Sequence, residues 1–182
     1  MMETKDLLIR ESTFCDLDIF YEWEKRPEVT EFFSISKDQS KEDVYLKYFK
    51  DKEDPGAEQY TILLKGEGEP YPIGRIVMAD IIQGWKGEVW RIYIADTALR
   101  NKGYGCQALL AIMEHCFKDL DLKRLYLDFY TGNPAEFLYK KVGFKEEGVL
   151  RGNCRKDGVL HDVHLMSIMR DEYLCLYRGG ER

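Results

Sequence analysis

No stretch of the 182-residue chain is long and apolar enough to cross a bilayer. The longest uninterrupted apolar run, Ala108 to Met113, has six residues, against the roughly 20 that a spanning helix requires. The opening Met-Met-Glu-Thr-Lys-Asp lacks the apolar stretch of a secretory leader, so the expected location is the cytoplasm, with no membrane partner. A basic surplus is missing too: Lys and Arg total 27 against 33 Asp and Glu, a net charge of -6. That balance speaks against a nucleic-acid binder, whose phosphate contacts need clustered cations. Cys15, Cys106, Cys116, Cys154 and Cys175 are widely spaced and form no Cys-x-x-Cys pair, so small buried thiols in a reducing compartment are expected rather than disulfides or zinc. His161-x-x-His164 does not make a metal pair, because residues three apart on a strand face opposite sides; no metal is expected. The phosphate-loop pattern Gly-x-x-x-x-Gly-Lys-[Ser/Thr] is absent, which excludes that class of NTPase. Without repeats, low-complexity tracts or a linker, residues 1–182 read as one domain, with a core over about 7–173 and a short C-terminal tail.

Secondary structure follows from periodicity. Leu7 to Arg10 reads as a strand. A helix capped by Asp16 or Asp18 carries Leu17, Phe20, Tyr21 and Trp23 and stops by Pro27. Ser40 is an N-cap with Asp43 three residues on, opening a helix striped by Val44, Tyr45, Tyr48 and Phe49 and ended by Asp54-Pro55-Gly56. Strands are expected at 60–65, 71–82 and 88–95, joined by Gly-bearing turns too short for parallel neighbours. Leu109, Leu110, Ile112, Met113 and Phe117 recur at helical spacing over about 104–119. Leu125, Leu127 and Phe129 alternate with Tyr126, Asp128 and Tyr130 in a two-faced strand. Asn133-Pro134 opens a short helix that Gly143 ends, and Lys156-Asp157-Gly158 turns a hairpin between strands 144–152 and 159–169. The order β-α-α-β-β-β-α-β-α-β-β predicts an α/β (α+β) domain: a mixed, mainly antiparallel sheet of six or seven strands with about four helices on its faces.

The segment Arg100-Asn101-Lys102-Gly103-Tyr104-Gly105-Cys106 lies between a strand and the longest helix. The first amide groups of a helix have no intrahelical partner, and with the positive end of the helix dipole they attract anions. Gly103 and Gly105 permit close approach of a ligand to the backbone, and Arg100 and Lys102 add positive charge. From spacing alone, three readings compete. The segment is an ordinary glycine turn, an anion cradle, or the dinucleotide fingerprint Gly103-x-Gly105-x-x-Ala108 with Asp128 as the ribose acid. Three meandering strands before the loop and fewer than 80 residues after it argue against the last.

Strand, Arg-x-x-Gly-x-Gly, then amphipathic helix resembles the acyl-CoA-binding motif of the GNAT N-acetyltransferase superfamily. A second segment, Asn133 with Leu138-Tyr139-x-Lys141-x-Gly143-Phe144, is similar to the family's Asn…Leu-Tyr-x-Lys-x-Gly-Phe. The ending Asp157-Gly158…His161-Asp162…Met166-Ser167-Ile168 with Arg170-x-Glu172-Tyr173 resembles the subgroup of ribosomal-protein alanine N-acetyltransferases. The likeness spans about residues 7–173. It implies acetyl-CoA as co-substrate, its diphosphate on the amides of Asn101 to Cys106 beside Arg100, and Asn133 as a further contact. Backbone groups of Ile92, Tyr93 and Ile94 would hold the pantetheine and the oxyanion, on a strand that splays from its neighbour. One residue is missing between Asn133 and Leu138 relative to the family. A deletion turns a helix by about 100°, so Asn133 and Tyr139 are not expected to hold their family positions together.

Moving an acetyl group from a thioester to an amine sets three demands. An alkylamine with a pKa around 10 must lose a proton, the oxyanion needs donors worth several kcal/mol, and the departing thiolate needs a proton. The resemblance assigns that last role to Tyr139, and a phenol with pKa near 10 suits it. Glu88 is the candidate base, with Asp96 and Asp128 behind it; the alanine-acetylating subgroup carries its Glu where this chain has Trp90, and alternation keeps Glu88 and Trp90 on one face. Phe32, Phe33, Tyr45, Tyr48 and Phe49 are core or acceptor wall, and Glu28, Glu31, Asp38, Glu42 and Asp43 favour a cationic acceptor. The expected activity is acetylation of a primary amine, on a small molecule or a protein N-terminus, by direct attack in a ternary complex of a monomer or homodimer. The alternative is a CoA-binding sensor without turnover.

Overall fold

The structure, a computed structural model, describes residues 1–36 and 38–177. Eight strands form one sheet. They are β1 (Met2–Glu3), β2 (Leu7–Glu11), β3 (Glu58–Leu64), β4 (Tyr71–Ile82), β5 (Lys86–Ile94), β6 (Arg124–Tyr130), β7 (Lys145–Lys156) and β8 (Val159–Met169). Their order is β1-β2-β3-β4-β5-β6-β8-β7, with β5 and β6 parallel and every other pair antiparallel. The mixed, mainly antiparallel class is the expected one. The strand beyond the six or seven expected is β1, whose two residues pair with Ile9 and Leu8 and are too few to show an alternation.

The helices are α1 (Leu17–Glu24), α2 (Pro27–Thr30), α3 (Lys41–Glu53), α4 (Tyr104–Lys118), α5 (Ala135–Lys141) and α6 (Arg170–Tyr177). Six replace the expected four. The added ones are the single turn α2, which Pro27 starts where the first helix stops, and α6, which lies partly on residues read as tail. Local chemistry explains the boundaries. Asp16 caps α1 while its carboxylate takes both Arg10 guanidinium nitrogens at 2.7 Å and the Thr13 N–H at 2.7 Å. Ser40 and Asp43 form the reciprocal capping box that opens α3. Asp157 (φ 48°) and Gly158 (φ 83°) both take the left-handed conformations that a two-residue hairpin turn between β7 and β8 needs.

Two apolar cores sandwich the sheet. On one face α4 lays Leu109, Ile112, Met113 and Phe117 against Ile76, Met78, Val89, Leu125, Leu127 and Phe129, and α5 and α6 add Tyr139, Val142 and Tyr173. On the other, Leu17, Phe20, Trp23, Val29, Val44 and Tyr48 from α1–α3 pack on Tyr93 and Ala95. A β-bulge interrupts β5: Val77 pairs with Arg91 but Met78 with Val89, which leaves Trp90 as the extra residue. That break in alternation removes the simple spacing on which equating Glu88 with Trp90 rests.

Candidate active site

β5 and β6 hold together only at Lys86–Arg124, Gly87–Leu125 and Glu88–Tyr126. Beyond Glu88 they part, and a slot opens through the sheet. The main chain of Ala95 faces β4, its N–H donating to Ile73 O at 2.8 Å, while Ile94 O accepts from Arg100 Nε at 3.1 Å on the opposite edge. Main-chain direction alternates along a strand, so Ile92 and Ile94 turn their peptide groups to the slot and Tyr93 turns its own to β4. Tyr93 therefore differs from the expectation. It lines the cleft, but its ring is buried on the α1–α3 face and its hydroxyl donates to Glu24 Oε1 at 3.1 Å.

The glycine loop feeds α4 at the wide end of the slot. Asn101 (φ 60°) and Gly103 (φ 87°) are left-handed, and Gly103 is the N-cap. Among the described residues, none of the six backbone N–H groups from Asn101 to Cys106 donates to another protein group, which makes the segment an anion nest. A Cβ on Gly105 would meet only Leu138 Cδ2, at 3.7 Å. Protein packing therefore does not demand a glycine there, and the space it keeps open suits a diphosphate. Arg100 donates from Nε to Ile94 O at 3.1 Å and from Nη2 to Glu28 O at 2.8 Å, which ties the loop to β5 and α2 at the wall of the slot.

Two cavities meet in the slot. The larger, about 360 Å³, is walled by Ile92, Ile94, Arg100, Asn101, Gly105, Asn133, Leu138 and Tyr139, with Glu28, Glu31, Phe32 and Phe33 across from them. The smaller, about 40 Å³, continues it between Trp90, Arg91, Asp128 and Tyr130. Phe32, Phe33, Ile92, Asn133 and Tyr139 line both. Asn133 and Tyr139 thus share one site despite the missing residue, because Asn133 stays outside the helix, in the turn before α5, where its Oδ1 accepts from Ala135 N at 2.9 Å. Lys102, Gly103, Tyr104 and Cys106 line neither cavity and face the slot, where they do, through the loop backbone. Tyr139 is 7% exposed, its ring against Phe129 and Phe144. Among the described residues its hydroxyl has no hydrogen-bond partner, and burial with the nearby Asp128 charge pushes it well above the ordinary phenol range, keeping it protonated.

Glu88 lies at the closed end of the slot and lines neither cavity. Burial, then the charges of Asp128 and Asp80, push its carboxyl up to about 7 against the pull of Lys86. Asp128, ranked behind it from sequence, is an exposed residue that lines the smaller cavity; Asp96 is occupied as a cap, taking Ala98 N at 2.8 Å. Sequence reasoning missed the polar cluster behind the slot. Glu24, with a side chain 2% exposed, takes Arg75 Nη1 and Arg91 Nη1 at 2.8 Å each on Oε1, and Gln39 Nε2 at 3.1 Å on Oε2. Arg91 spreads between the Trp90 and Phe33 rings, 4.5 and 5.7 Å away. The signal was present: Arg75 and Arg91 each interrupt an apolar strand and have to find a buried counter-charge.

Residues 6–145 match the acetyltransferase (GNAT) domain family. An uncharacterised N-acetyltransferase of Bacillus subtilis strain 168, YnaD, is 29% identical over 171 residues, covering 93% of this chain and 97% of the relative. The spermidine N(1)-acetyltransferase of Vibrio cholerae is 30% identical over 103 residues, 56% of this chain and 59% of that one. In three dimensions the chain is similar to the spermidine N-acetyltransferase of Vibrio cholerae crystallised with CoA and spermine (TM-score 0.83, 22% identity, 94% of this chain and 99% of that). It is also similar to a GNAT-family acetyltransferase of Bacillus anthracis (TM-score 0.77, 23% identity, 94% and 99%). These relatives are spermidine and uncharacterised acetyltransferases, not the alanine-acetylating subgroup in particular.

Proposed function

The chain belongs to the GNAT acetyltransferase family and is an acetyl-CoA-dependent N-acyltransferase; from that premise we propose that its acceptor is a small aliphatic amine, acetylated by direct attack with both substrates bound. The observation that carries this reading is the meeting of the two cavities at Ile92, Asn133 and Tyr139. The larger is shaped for a pantetheine arm ending at the slot. The smaller has room for an aminomethyl end but not for the branched start of a folded polypeptide, which ranks a small amine above the protein N-terminus suggested by the chain's last motif. That the Vibrio cholerae relative, similar in both sequence and fold, is a spermidine acetyltransferase adds weight on the same side.

Acetyl-CoA supplies an activated acyl group; the rest is the work of side chains and amides. The loop amides of Asn101 to Cys106 hold the diphosphate. The peptide edge at Ile92 and Ile94 orients the arm and offers a donor to the thioester oxygen as charge develops on it. Glu88 draws the acceptor's proton toward the closed end of the slot, its affinity matched to neutral pH. Tyr139, on the α4 face, gives its phenolic proton to the departing sulfur. Because the sheet is open between β5 and β6, acid and amine reach one carbonyl from opposite faces.

Release of free thiol from acetyl-CoA, followed with spermidine, with n-butylamine, with a peptide bearing N-terminal alanine and with no amine, tests this. Amine-dependent release with either small amine is expected. Release with the peptide alone moves the acceptor to the protein class, and CoA binding without any release leaves the silent binding module standing.

A further inference from the structure

Asp128 stands two residues along β6 from Tyr126, the partner of Glu88 in the last rung of the β5–β6 pairing, and so shares the face of Tyr126 and Tyr130. Its carboxylate lines the smaller cavity with Trp90, Arg91, Tyr130 and Tyr139. Among the described residues it makes neither an ion pair nor a hydrogen bond. The other charges nearby have protein partners. Asp80 is paired with Lys86 and accepts from Tyr126 Oη at 2.6 Å, and Arg91 shares the Glu24 carboxylate with Arg75. An alkylammonium entering a cavity of about 40 Å³ loses most of its hydration and needs an unpaired anion to offset that loss.

Resting on the acyltransferase reading above, we propose that Asp128 receives the acceptor's ammonium group at the neck of the slot and thereby selects cationic aliphatic amines. The bound ammonium gives one N–H proton to the Glu88 carboxylate, directly or over one water. The freed lone pair forms the N–C bond to the acetyl carbon; as the C–S bond breaks, the nitrogen loses its second proton to solvent and the thiolate takes the proton of Tyr139, after which Tyr139 regains a proton from solvent and Glu88 releases its own. The groups facing Glu88 are Asp80 from β4, Lys86 from its own strand, and Tyr126 and Asp128 from β6. Of these, Asp128 is the unpaired anion, and its charge both binds the cation and keeps Glu88 a strong enough base.

The test is Asp128→Asn, an isosteric change, measured with n-butylamine and spermidine. KM for either amine should rise tenfold or more while KM for acetyl-CoA stays within twofold, and the acid limb of the kcat profile should move to lower pH as Glu88 loses its anionic neighbour. Asp128→Glu, which keeps the charge, should recover part of the amine affinity. In the wild-type protein, raising ionic strength should raise KM for butylamine but leave that for hydroxylamine, uncharged at neutral pH, unchanged. Unaltered amine KM and pH limb in Asp128→Asn, or equal losses for both substrates, overturn the assignment; so does a salt-independent KM if the variant does not fold. Absence of thiol release from the wild-type protein with every amine is a different failure, one that removes the acyltransferase reading and this inference with it.

Discussion

In the proposed mechanism Tyr139 and Glu88 act on opposite sides of one bond-making event, and their environments differ accordingly. Burial and the Asp128 charge keep the Tyr139 proton on and make it a weaker acid than a free phenol, so in the proposed reaction its transfer has to be drawn by the charge of a thiolate formed beside it. Replacing it with Phe keeps the ring packing on Phe129 and Phe144 and removes one proton. The kcat for thiol release should fall about 100-fold or more, while CoA affinity measured by calorimetry stays within twofold; equal loss of both would mark a structural tyrosine. Glu88 must be ionised to act as a base. With its carboxyl held up near 7 by burial and by Asp128 and Asp80, kcat should rise as pH climbs through about 7, and Glu88→Gln should flatten that limb. The place of Tyr139 beside the slot was legible because its motif fixes it relative to Gly143 and Phe144. Asp128 was legible only as a fallback base, since one carboxylate in an alternating strand looks like any solvated face until the sheet is seen to split beside it.

One buried charge joins the apolar packing of Leu17, Phe20 and Trp23 in anchoring α1 to the sheet. Burial by itself would raise the Glu24 carboxyl; Arg91 and Arg75, aided by Gln39 and Tyr93, outweigh it and hold the group below the ordinary carboxylate range. A lowered carboxyl favours the folded state wherever it is ionised, so this contribution is full above the unfolded value near 4.3 and fades as pH falls below it. Glu24→Gln strands two guanidiniums in the core and should cost about 3–5 kcal/mol, the usual penalty for removing one member of a buried ion pair. That is a large share of the roughly 5–15 kcal/mol that holds a domain together, and urea unfolding at pH 7 will measure it. A loss under about 1 kcal/mol would mean that water takes the place of the missing carboxylate. The same element explains what sequence periodicity could and could not deliver. Caps and turns are local, so Ser40 with Asp43 and Asp157 with Gly158 could be read directly. The Glu24 cluster joins residues 51 and 67 positions apart, and no window along the chain contains it.

Across the whole molecule, the sheet is two blocks, β1–β5 and β6–β8, joined through three residue pairs at one end and covered by α4. A ligand laid in the slot touches the glycine loop and β5 on one side and Asn133, Leu138 and Tyr139 on the other, so it ties together blocks that the backbone leaves apart. Binding to the folded state alone stabilises it by about 2.7 kcal/mol at 100 times the dissociation constant. For a chain of this size each kcal/mol moves Tm by about 2–4 °C, so saturating CoA should raise Tm by about 5–11 °C. Gly105→Glu separates ligand from fold. The site tolerates a Cβ, which meets only Leu138 at 3.7 Å, glutamate is a better helix former than glycine, and a carboxylate in a first helical turn is favoured by the dipole. The variant should therefore melt at or above the wild-type temperature without ligand. With CoA the same carboxylate opposes the diphosphate at the loop amides, and most of the Tm rise should vanish. A full CoA-induced rise in Gly105→Glu would mean that the diphosphate lies elsewhere and that the nest from Asn101 to Cys106 serves only to start α4.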